Sequence, residues 1–275
     1  IKKFYIRRAL RILPVCYLYI GVIALLNYFL NLGVTQFGAA ITYTMNFAMS
    51  NPLNWGPSAW LFQNLWSLGV EEQFYLFWPC IAKKNVKTMT LIGSAIIAYA
   101  IAARTIAALV PALNLWTLAP FFKYADALMI GCLLAISCHV RLGFWNSSLL
   151  RKRWPLLAFV ALIVTLTVLE MMSVGTFVVL PLGKTLVSLG IAFIIARTIT
   201  VRQGLAFRFL NHPVMVYLGV ISYSLYIWQQ LVIFGPFEWC SNFPVNVVVS
   251  IAVAAVSYHL WEKIFLKFKT SFQRV

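Results

Sequence analysis

Eight separate runs of apolar residues divide this chain, and each is about as long as a helix that crosses a bilayer. A spanning helix needs about 20 apolar residues, because the hydrocarbon core is about 30 Å thick. Inside that core a helix satisfies all of its own backbone N–H and C=O groups. We therefore expect an all-α fold, a polytopic transmembrane helical bundle of about eight spanning helices. The runs are 12–32, 66–82, 91–110, 118–138, 155–172, 177–196, 213–234 and 244–262.

The composition agrees with a chain embedded in a membrane. Hydrophobic residues make up 62% of the 275 residues and charged residues 10%, whereas soluble domains average about 45–50% and about 25%. Eight crossings use up the chain, so we expect 1–275 to be a single membrane domain. The five cysteines include no Cys-x-x-Cys pair, and four lie in or beside apolar runs. We therefore predict neither a metal site nor a disulfide framework.

A ninth apolar run, 37–50, is too short to cross the bilayer comfortably. A helix of that length would end inside the hydrocarbon core. Irregular backbone at membrane depth is tolerated where protein buries it. We therefore predict one re-entrant or short interfacial segment at this position.

Basic residues alternate with the predicted spans. With the first residues in the cytoplasm, the inside segments hold all but three of the 22 Lys and Arg residues, the three being Arg104, Lys123 and Lys184. This positive-inside pattern predicts a bacterial inner-membrane protein with both ends cytoplasmic. The net charge of +16 follows from this topology and from attraction to anionic headgroups, so we predict membrane lipid and no nucleic acid as a partner. The inside segments are 1–11, 83–90, 139–154, 197–212 and 263–275.

Adjacent carboxylates, Glu71 and Glu72, interrupt the run 66–82 near its predicted outer end. Charge inside a span costs a few kcal/mol, so it marks a place where function is expected. Neighbouring positions on a helix point about 100° apart. One carboxylate can then face the protein interior while the other meets solvent or a partner, although a pair that caps the first turn of a helix is an equal alternative.

Two arginines, Arg8 and Arg11, precede the first span, which Pro14 opens. Their spacing of three residues places them on one helical face. Two guanidinium groups so placed can bind phosphate through paired hydrogen bonds. Ordinary positive-inside charge beside a membrane helix is the more common explanation of such a basic cluster taken alone.

The remaining polar positions within spans admit structural or functional roles. Lys123 and Asp126 lie three residues apart and could neutralise each other. Tyr223 belongs to a stretch of hydroxyl groups in the run 213–234, which can join helices or line a cavity. Glu262 ends the last run and resembles an interface anchor. The three histidines all fall at predicted cytoplasmic ends, where we interpret them as boundary residues: His139, His212 and His259.

Taken in order, five segments of this chain resemble the membrane-bound acyltransferase-3 family. The specific one is WSLGVEEQFYLFWP at 66–79, because a pattern of adjacent glutamates between tryptophans is improbable by chance. The others are individually weak but correctly ordered, and the resemblance covers essentially the whole chain. They are RRALRILP, ADALMIGCLLA, SYSLYIW and WEKIF.

This resemblance implies a membrane O-acyltransferase, an enzyme that takes an acyl group, commonly acetyl, from cytoplasmic acyl-CoA. The acceptor would be a carbohydrate hydroxyl of a surface polysaccharide or lipid-linked glycan, so O-acetylation of polysaccharide is the expected modification. Arg8 and Arg11 correspond to the arginine motif associated with the donor. Glu71 and Glu72 are expected to support catalysis. The other residues expected to support substrate or structure are Trp66, Asp126, Tyr223 and Glu262.

The chain also departs from the family pattern. The family's essential histidine lies in a helix upstream of the arginine motif, and no histidine precedes Arg8. We therefore expect an N-terminally truncated domain that lacks two helices and the general base. Gln229 stands where relatives often have histidine, and arginine is common near the position of Lys123 or Tyr124.

Two other functions explain the same residues. A transporter or flippase could use Glu71, Glu72 and Asp126 as intramembrane polar sites. A catalytically dead, purely structural fragment is the second. Dependence on coenzyme A separates the enzyme from the transporter, because transport does not need the arginine motif.

Overall fold

A computed structural model describes residues 2–50, 56, 58–110, 121, 124–140, 142–172 and 179–270. The described residues form helices and contain no β-strand. The all-α prediction is therefore confirmed. Lys123, the first residues of the run 118–138, and the predicted outer loops 111–117 and 173–176 lie outside the described residues.

Six helices of the described residues are long and apolar enough to cross a bilayer, and the prediction of eight is therefore wrong. The longest of them, Lys2–Leu30, has 29 residues. One of the six continues from a π-helical turn at its start, and the last contains another. The six are Lys2–Leu30, Val86–Leu109, Trp154–Met171, Pro181–Thr200, Pro213–Phe234 and Val245–Phe268.

Helix length explains the difference in the number of spans. The helix at the predicted run 66–82 is Leu65–Ile81, with 17 residues, and the described helix within 118–138 is Ala125–His139, with 15. At about 1.5 Å per residue these helices are about 25 and 22 Å long. Both are shorter than a hydrocarbon core of about 30 Å.

The helices are numbered here in chain order. They are α1 (Lys2–Leu30), α2 (Phe37–Ile41), α3 (Met45–Ala48), α4 (Leu65–Ile81), α5 (Val86–Leu109), α6 (Ala125–His139), α7 (Ser148–Arg151), α8 (Trp154–Met171), α9 (Lys184–Thr200), α10 (Leu205–Leu210), α11 (Pro213–Phe234), α12 (Glu238–Ser241), α13 (Val245–Ser257) and α14 (Lys263–Thr270). Short 3₁₀ turns occupy Ala59–Phe62 and Gly143–Asn146, and π turns occupy Val179–Gly183 and Tyr258–Glu262.

Helix α1 carries the arginine motif and the first span on one continuous element. It begins at Lys2 and runs through Pro14, so the expectation that Pro14 opens the span is wrong. The proline carbonyl remains in use, because the indole Nε1 of Trp261 donates to it over 2.9 Å. Arg8 and Arg11 consequently stand at fixed positions within about one turn of Ile12, the first buried residue of α1.

The contacts divide the chain into two compact units. Unit 1 comprises Ile1–Glu72 and Pro213–Val275, and unit 2 comprises Gln73–His212. In unit 1 the core forms where α1 meets α11 and the segment between α1 and α4. Tyr19 lies at its centre, with its ring 5.5 Å from that of Trp228 and its hydroxyl donating to the Leu61 carbonyl over 2.6 Å.

The short run 37–50 folds back along α1 as predicted for a short segment. It forms the two short helices α2 and α3. The N–H of Val34 donates to the side chain of Asn27, near the end of α1. Ile41, seven residues later, accepts a hydrogen bond at its carbonyl from the hydroxyl of Tyr17, near the middle of α1. The segment therefore leaves the end of α1 and descends beside it.

Helix α4 begins beside the middle of α1 and runs antiparallel to it. Leu61, just before α4, contacts Tyr19, whereas Glu72 within α4 contacts Arg8. Gly69 lets the start of α4 approach the re-entrant segment, because a Cβ atom there would lie 2.6 Å from the Tyr43 carbonyl oxygen. The first half of α4 therefore leads from the interior of unit 1 toward the Lys2 end of α1.

The Lys2 end of α1 also meets the last helices of the chain. Helix α1 packs against α14 and the preceding π turn. The hydroxyl of Tyr217, at the start of α11, lies 3.2 Å from His259 Nε2 in that turn. The N-terminal basic residues and the lysines of α14 therefore share one end of unit 1.

Unit 2 packs α5 against α6, and α9 against both α6 and α8. Gly190 permits a close approach of α9 to α8, because a Cβ atom there would lie 3.1 Å from Ile163 Cδ1 on α8. Arg197, near the end of α9, donates to the carbonyls of Leu150 and Lys152, each over 2.5 Å. These bonds fix the 148–153 segment to the end of α9.

The arrangement of unit 1 predicts which positions share a side of the membrane. In a cysteine-free background, Lys2→Cys and Lys263→Cys should react with an impermeant maleimide from the same side only. Trp239→Cys, beyond the opposite end of α11, should react from the other side only. Labelling of whole cells against inside-out vesicles measures this, and opposite labelling of positions 2 and 263 would contradict the fold of unit 1.

Candidate active site

An ion pair joins α1 to α4 in unit 1. Arg8 Nη2 lies 2.8 Å from Glu72 Oε1, and Arg8 Nε donates to the same oxygen over 3.0 Å. Two guanidinium nitrogens therefore hold one carboxylate oxygen. Such charge-assisted bonds are about twice as strong as neutral ones, so the pair fixes the depth at which α4 lies against α1.

Glu71 lies on the outer flank of the same pair. Its Oε2 is 3.5 Å from Arg8 Nη2, and its side chain is 48% exposed, against 23% for Glu72. Glu72 is therefore the less accessible of the two carboxylates, as the angle of about 100° between neighbouring helix positions allows. The prediction that Glu71 and Glu72 lie near the outer end of a span, on the other side of the membrane from Arg8, is wrong. Helix α4 begins beside the middle of α1, and both carboxylates therefore lie next to Arg8.

Arg11 lies one turn from Arg8 and is exposed. It is within electrostatic reach of Glu262. Unlike Arg11, Glu262 is buried, and its Oε2 accepts a hydrogen bond from Ser224 Oγ over 2.8 Å. The π turn Tyr258–Glu262 ends on this residue, and π turns often accompany functional sites. The expectation that Glu262 is an interface anchor is therefore wrong.

Tyr223 and Trp66 support the site through packing. The hydroxyl of Tyr223 donates to the Ile12 carbonyl over 2.8 Å, which joins α11 to α1 one residue beyond Arg11. Trp66 packs against the core of unit 1. Beside it, the hydroxyl of Ser67 lies 2.6 Å from that of Tyr226. The predicted site residues of unit 1 other than Trp66 thus gather around the Lys2 end of α1, whereas Trp66 lies at the start of α4, beside the middle of α1.

Asp126 belongs to a separate buried cluster in unit 2. Arg104 Nη1 donates to its Oδ1 over 3.1 Å and Nη2 to its Oδ2 over 2.6 Å. Thr185 Oγ1 also donates to Oδ2, and Arg104 Nε donates to the Pro181 carbonyl over 3.0 Å. The partner of Asp126 is therefore Arg104, whereas the pairing proposed with Lys123 lies outside the described residues.

Sequence reasoning assigned no carboxylate partner to Arg104, Ser224 or Thr185, although a signal existed for one of them. Arg104 sits in an apolar run, where an arginine needs a partner because burying it alone costs about 2.5–3.5 kcal/mol. Ser224 and Thr185 carry no such signal, because hydroxyl groups are common in membrane helices. Only the packing of helices shows that each meets a carboxylate.

Removing one member of the buried pair should destabilise the protein far more than removing an exposed charge. Asp126→Asn leaves the Arg104 guanidinium, which is 1% exposed, without its counterion, at a cost of about 3–5 kcal/mol. Thermal unfolding in detergent measures the change. The matched control is Glu170→Gln, because Glu170 pairs with Lys184 at 3.3 Å but is 47% exposed, where such pairs contribute about 0–1 kcal/mol.

The double variant Arg104→Met/Asp126→Leu should recover much of the loss, because packed apolar side chains replace buried ion pairs well. Equal melting temperatures for Asp126→Asn and Glu170→Gln would show that the buried pair does not carry this stability.

The fold and its charges define a class before any comparison is made. Six apolar helices that are long enough to cross a bilayer make this a multi-pass membrane protein, with a carboxylate-bound arginine at the basic end of unit 1. A family model described as an acyltransferase domain matches residues 1–261. The chain belongs to this acyltransferase-3 family and is a membrane acyltransferase. No curated protein and no solved structure gives a significant match.

Proposed function

We propose that this acyltransferase moves an acyl group, acetyl in the first instance, from cytoplasmic acyl-CoA to a carbohydrate hydroxyl of a surface polysaccharide or lipid-linked glycan. The observation that carries the proposal is the arrangement at the basic end of unit 1. There Arg8 is held by Glu72 and Arg11 lies exposed one turn away.

The phosphates of coenzyme A suit this end of the unit. Arg11 offers an exposed guanidinium, whose planar donors match phosphate oxygens. Lys2 and Lys263 are also exposed on the two elements that meet there. Summed positive charge raises the local concentration of an anionic ligand. Arg11 is therefore the proposed phosphate ligand, and Arg8 is the proposed neighbour whose position Glu72 fixes.

Acyl transfer also needs a positive group that stabilises the negative charge on the thioester carbonyl oxygen, and the Arg8–Glu72 ion pair can supply it. The acceptor hydroxyl oxygen attacks the thioester carbonyl carbon, a base takes the hydroxyl proton, the carbon–sulfur bond breaks, and coenzyme A leaves as its thiol. The carbonyl oxygen carries negative charge as the bond to the acceptor forms. A guanidinium already fixed by Glu72 can face that charge without reorganising.

The location follows from the charges and the family. Basic residues at both ends of the chain meet at one end of unit 1, which supports cytoplasmic termini in a bacterial inner membrane. Donor phosphates would then bind on the side where acyl-CoA is made. A carbohydrate acceptor is supported by the family resemblance.

Transport is the weaker alternative, because the interior carboxylates are occupied by the protein itself. Asp126 accepts hydrogen bonds from Arg104 and Thr185, and Glu72 is bound by Arg8. A transporter that bound its cargo through these groups would first have to break those contacts.

The donor site is tested by comparing coenzyme A with pantetheine, which lacks the nucleotide phosphates. Arg11→Ala should weaken coenzyme A binding about 10- to 100-fold, the effect of losing a charge-assisted hydrogen bond. Pantetheine should bind both proteins equally. Calorimetry on the purified protein measures the affinities. The matched control is Arg202→Ala, an exposed arginine outside this site, which should change neither.

Either of two results would overturn the donor site. Failure of the unaltered protein to bind coenzyme A removes the proposed function. A loss of affinity in Arg11→Ala that is the same for pantetheine shows that Arg11 contacts no phosphate.

The two glutamates should differ in effect, because Glu72 is the more buried and makes the closer contacts with Arg8. We expect Glu72→Gln to lower acetyl transfer in membranes about 10- to 100-fold, through the loss of bonds between charged groups. Glu71→Gln should lower it less than about fivefold, as expected of an exposed pair. Incorporation of labelled acetyl into membrane glycan measures both, with equal melting temperatures as the control. A larger loss of acetyl transfer in Glu71→Gln than in Glu72→Gln would contradict this prediction and would show that Glu71 is the carboxylate that supports catalysis.

A further inference from the structure

Unit 2 contains an open, apolar cavity of about 440 Å³ among four of its helices. Small-molecule sites have volumes of about 300–1,000 Å³, so this cavity is large enough for a ligand. Ser137 provides the one hydroxyl group among its lining side chains. Representative lining residues from the four helices are Ile97, Leu133, Ser137, Phe159, Leu189 and Phe193.

The walls of the cavity suit a hydrocarbon chain. Leu186 and Leu189, on α9, are 39% and 46% exposed, so the cavity opens along a surface that an apolar solvent covers. The rings of Phe159 and Phe193, which also line the cavity, have their centroids 4.5 Å apart. A hydrocarbon chain that enters the cavity from the bilayer would exchange its contacts with lipid for contacts with the lining side chains.

One end of the cavity meets a basic segment. Phe193 lines the cavity, and Arg197 follows it by one turn of α9. Arg197 holds the carbonyls of Leu150 and Lys152. Arg153 directly precedes α8, the helix that carries Phe159. The geometry therefore fixes Arg197 and the segment 151–153, with its sequence Arg-Lys-Arg, beside this end of the cavity.

Carboxylates are absent from the sequence around these cations. Residues 127–169 and 171–212 contain neither Asp nor Glu. The two acidic residues of unit 2 lie beside other cations, Asp126 with Arg104 and Glu170 with Lys184. The basic segment therefore attracts an anion from outside the unit, and the phosphate of a lipid is an anion at the right depth.

We propose that this cavity is a binding site for an anionic phospholipid, with one acyl chain among the lining side chains and the phosphate against the basic segment 151–153. The proposal is independent of the proposed donor site in unit 1. It adds an anionic lipid ligand to unit 2.

Native mass spectrometry of the purified protein titrated with phosphatidylglycerol or phosphatidylcholine tests the proposal. The unaltered protein should retain one phosphatidylglycerol and bind it about tenfold more tightly than phosphatidylcholine, as several basic residues at a lipid surface imply. Ala192→Trp fills the cavity and should weaken retention about tenfold, because chain methylenes lose their burial. The matched control is Ala161→Trp on α8, which is exposed and should leave retention unchanged.

The charge requirement has its own pair of variants. Replacing residues 151–153 together by Gln should abolish the preference for phosphatidylglycerol. Replacing the exposed lysines 83, 84 and 87 by Gln removes the same charge elsewhere in unit 2 and should leave the preference intact. Equal effects of the two triple changes would reduce the site to general attraction by a basic protein and overturn the proposal.

A measurement on the unaltered protein guards against variants that fail to fold. A phosphatidylglycerol with a diazirine at the end of one acyl chain should label peptides that contain 130–137 or 186–193 upon irradiation. Competition by unlabelled phosphatidylglycerol should remove this label, whereas phosphatidylcholine should not. Labelling spread evenly over the apolar helices would show bulk lipid only and would reject the site.

Discussion

The cost of placing charge inside a bilayer shapes both units of this protein. A lone ionised side chain at membrane depth costs a few kcal/mol on insertion scales, and the interior carboxylates are all bound by donors. Glu72 is bound by Arg8, Glu262 by Ser224, and Asp126 by Arg104 and Thr185. Each of these contacts also joins two helices, so the groups that must be neutralised determine how the helices pack.

The re-entrant segment decides where the candidate site lies. Because the chain descends beside α1 before α4 begins, α4 starts at the level of Tyr19 rather than beyond the end of α1. Its carboxylates are then carried to Arg8. Gly69 is required for this path, because the Tyr43 carbonyl occupies the space that a Cβ atom would need. A full crossing by α4 would have separated the glutamates from the arginine motif by most of the bilayer.

The cluster around Arg104 and Asp126 and the cluster around Arg8 differ in accessibility. This difference indicates that the first has a structural role and that the second is the candidate site. Arg104 and Asp126 are 1% and 2% exposed and share their hydrogen bonds with Thr185 and the Pro181 carbonyl, as expected of a buried cluster that holds helices together. Around Arg8 the carboxylate of Glu71 and the guanidinium of Arg11 are exposed. A group that contacts a substrate must be reachable, and for this reason the acyl donor is proposed to bind at the basic end of unit 1.

The sequence by itself determined the solvent, the helical class and the family, because apolar length and ordered motifs are local properties of the chain. It also identified Glu71, Glu72, Arg8 and Arg11 as notable, since charges beside or within apolar runs need a reason. Only the tertiary structure decided the number of long spans and the partners of the charges. Whether a run crosses fully or turns back depends on what buries its backbone, and whether Asp126 meets Arg104 depends on how α5 packs against α6. Both are settled by contacts between distant segments, which no local pattern encodes.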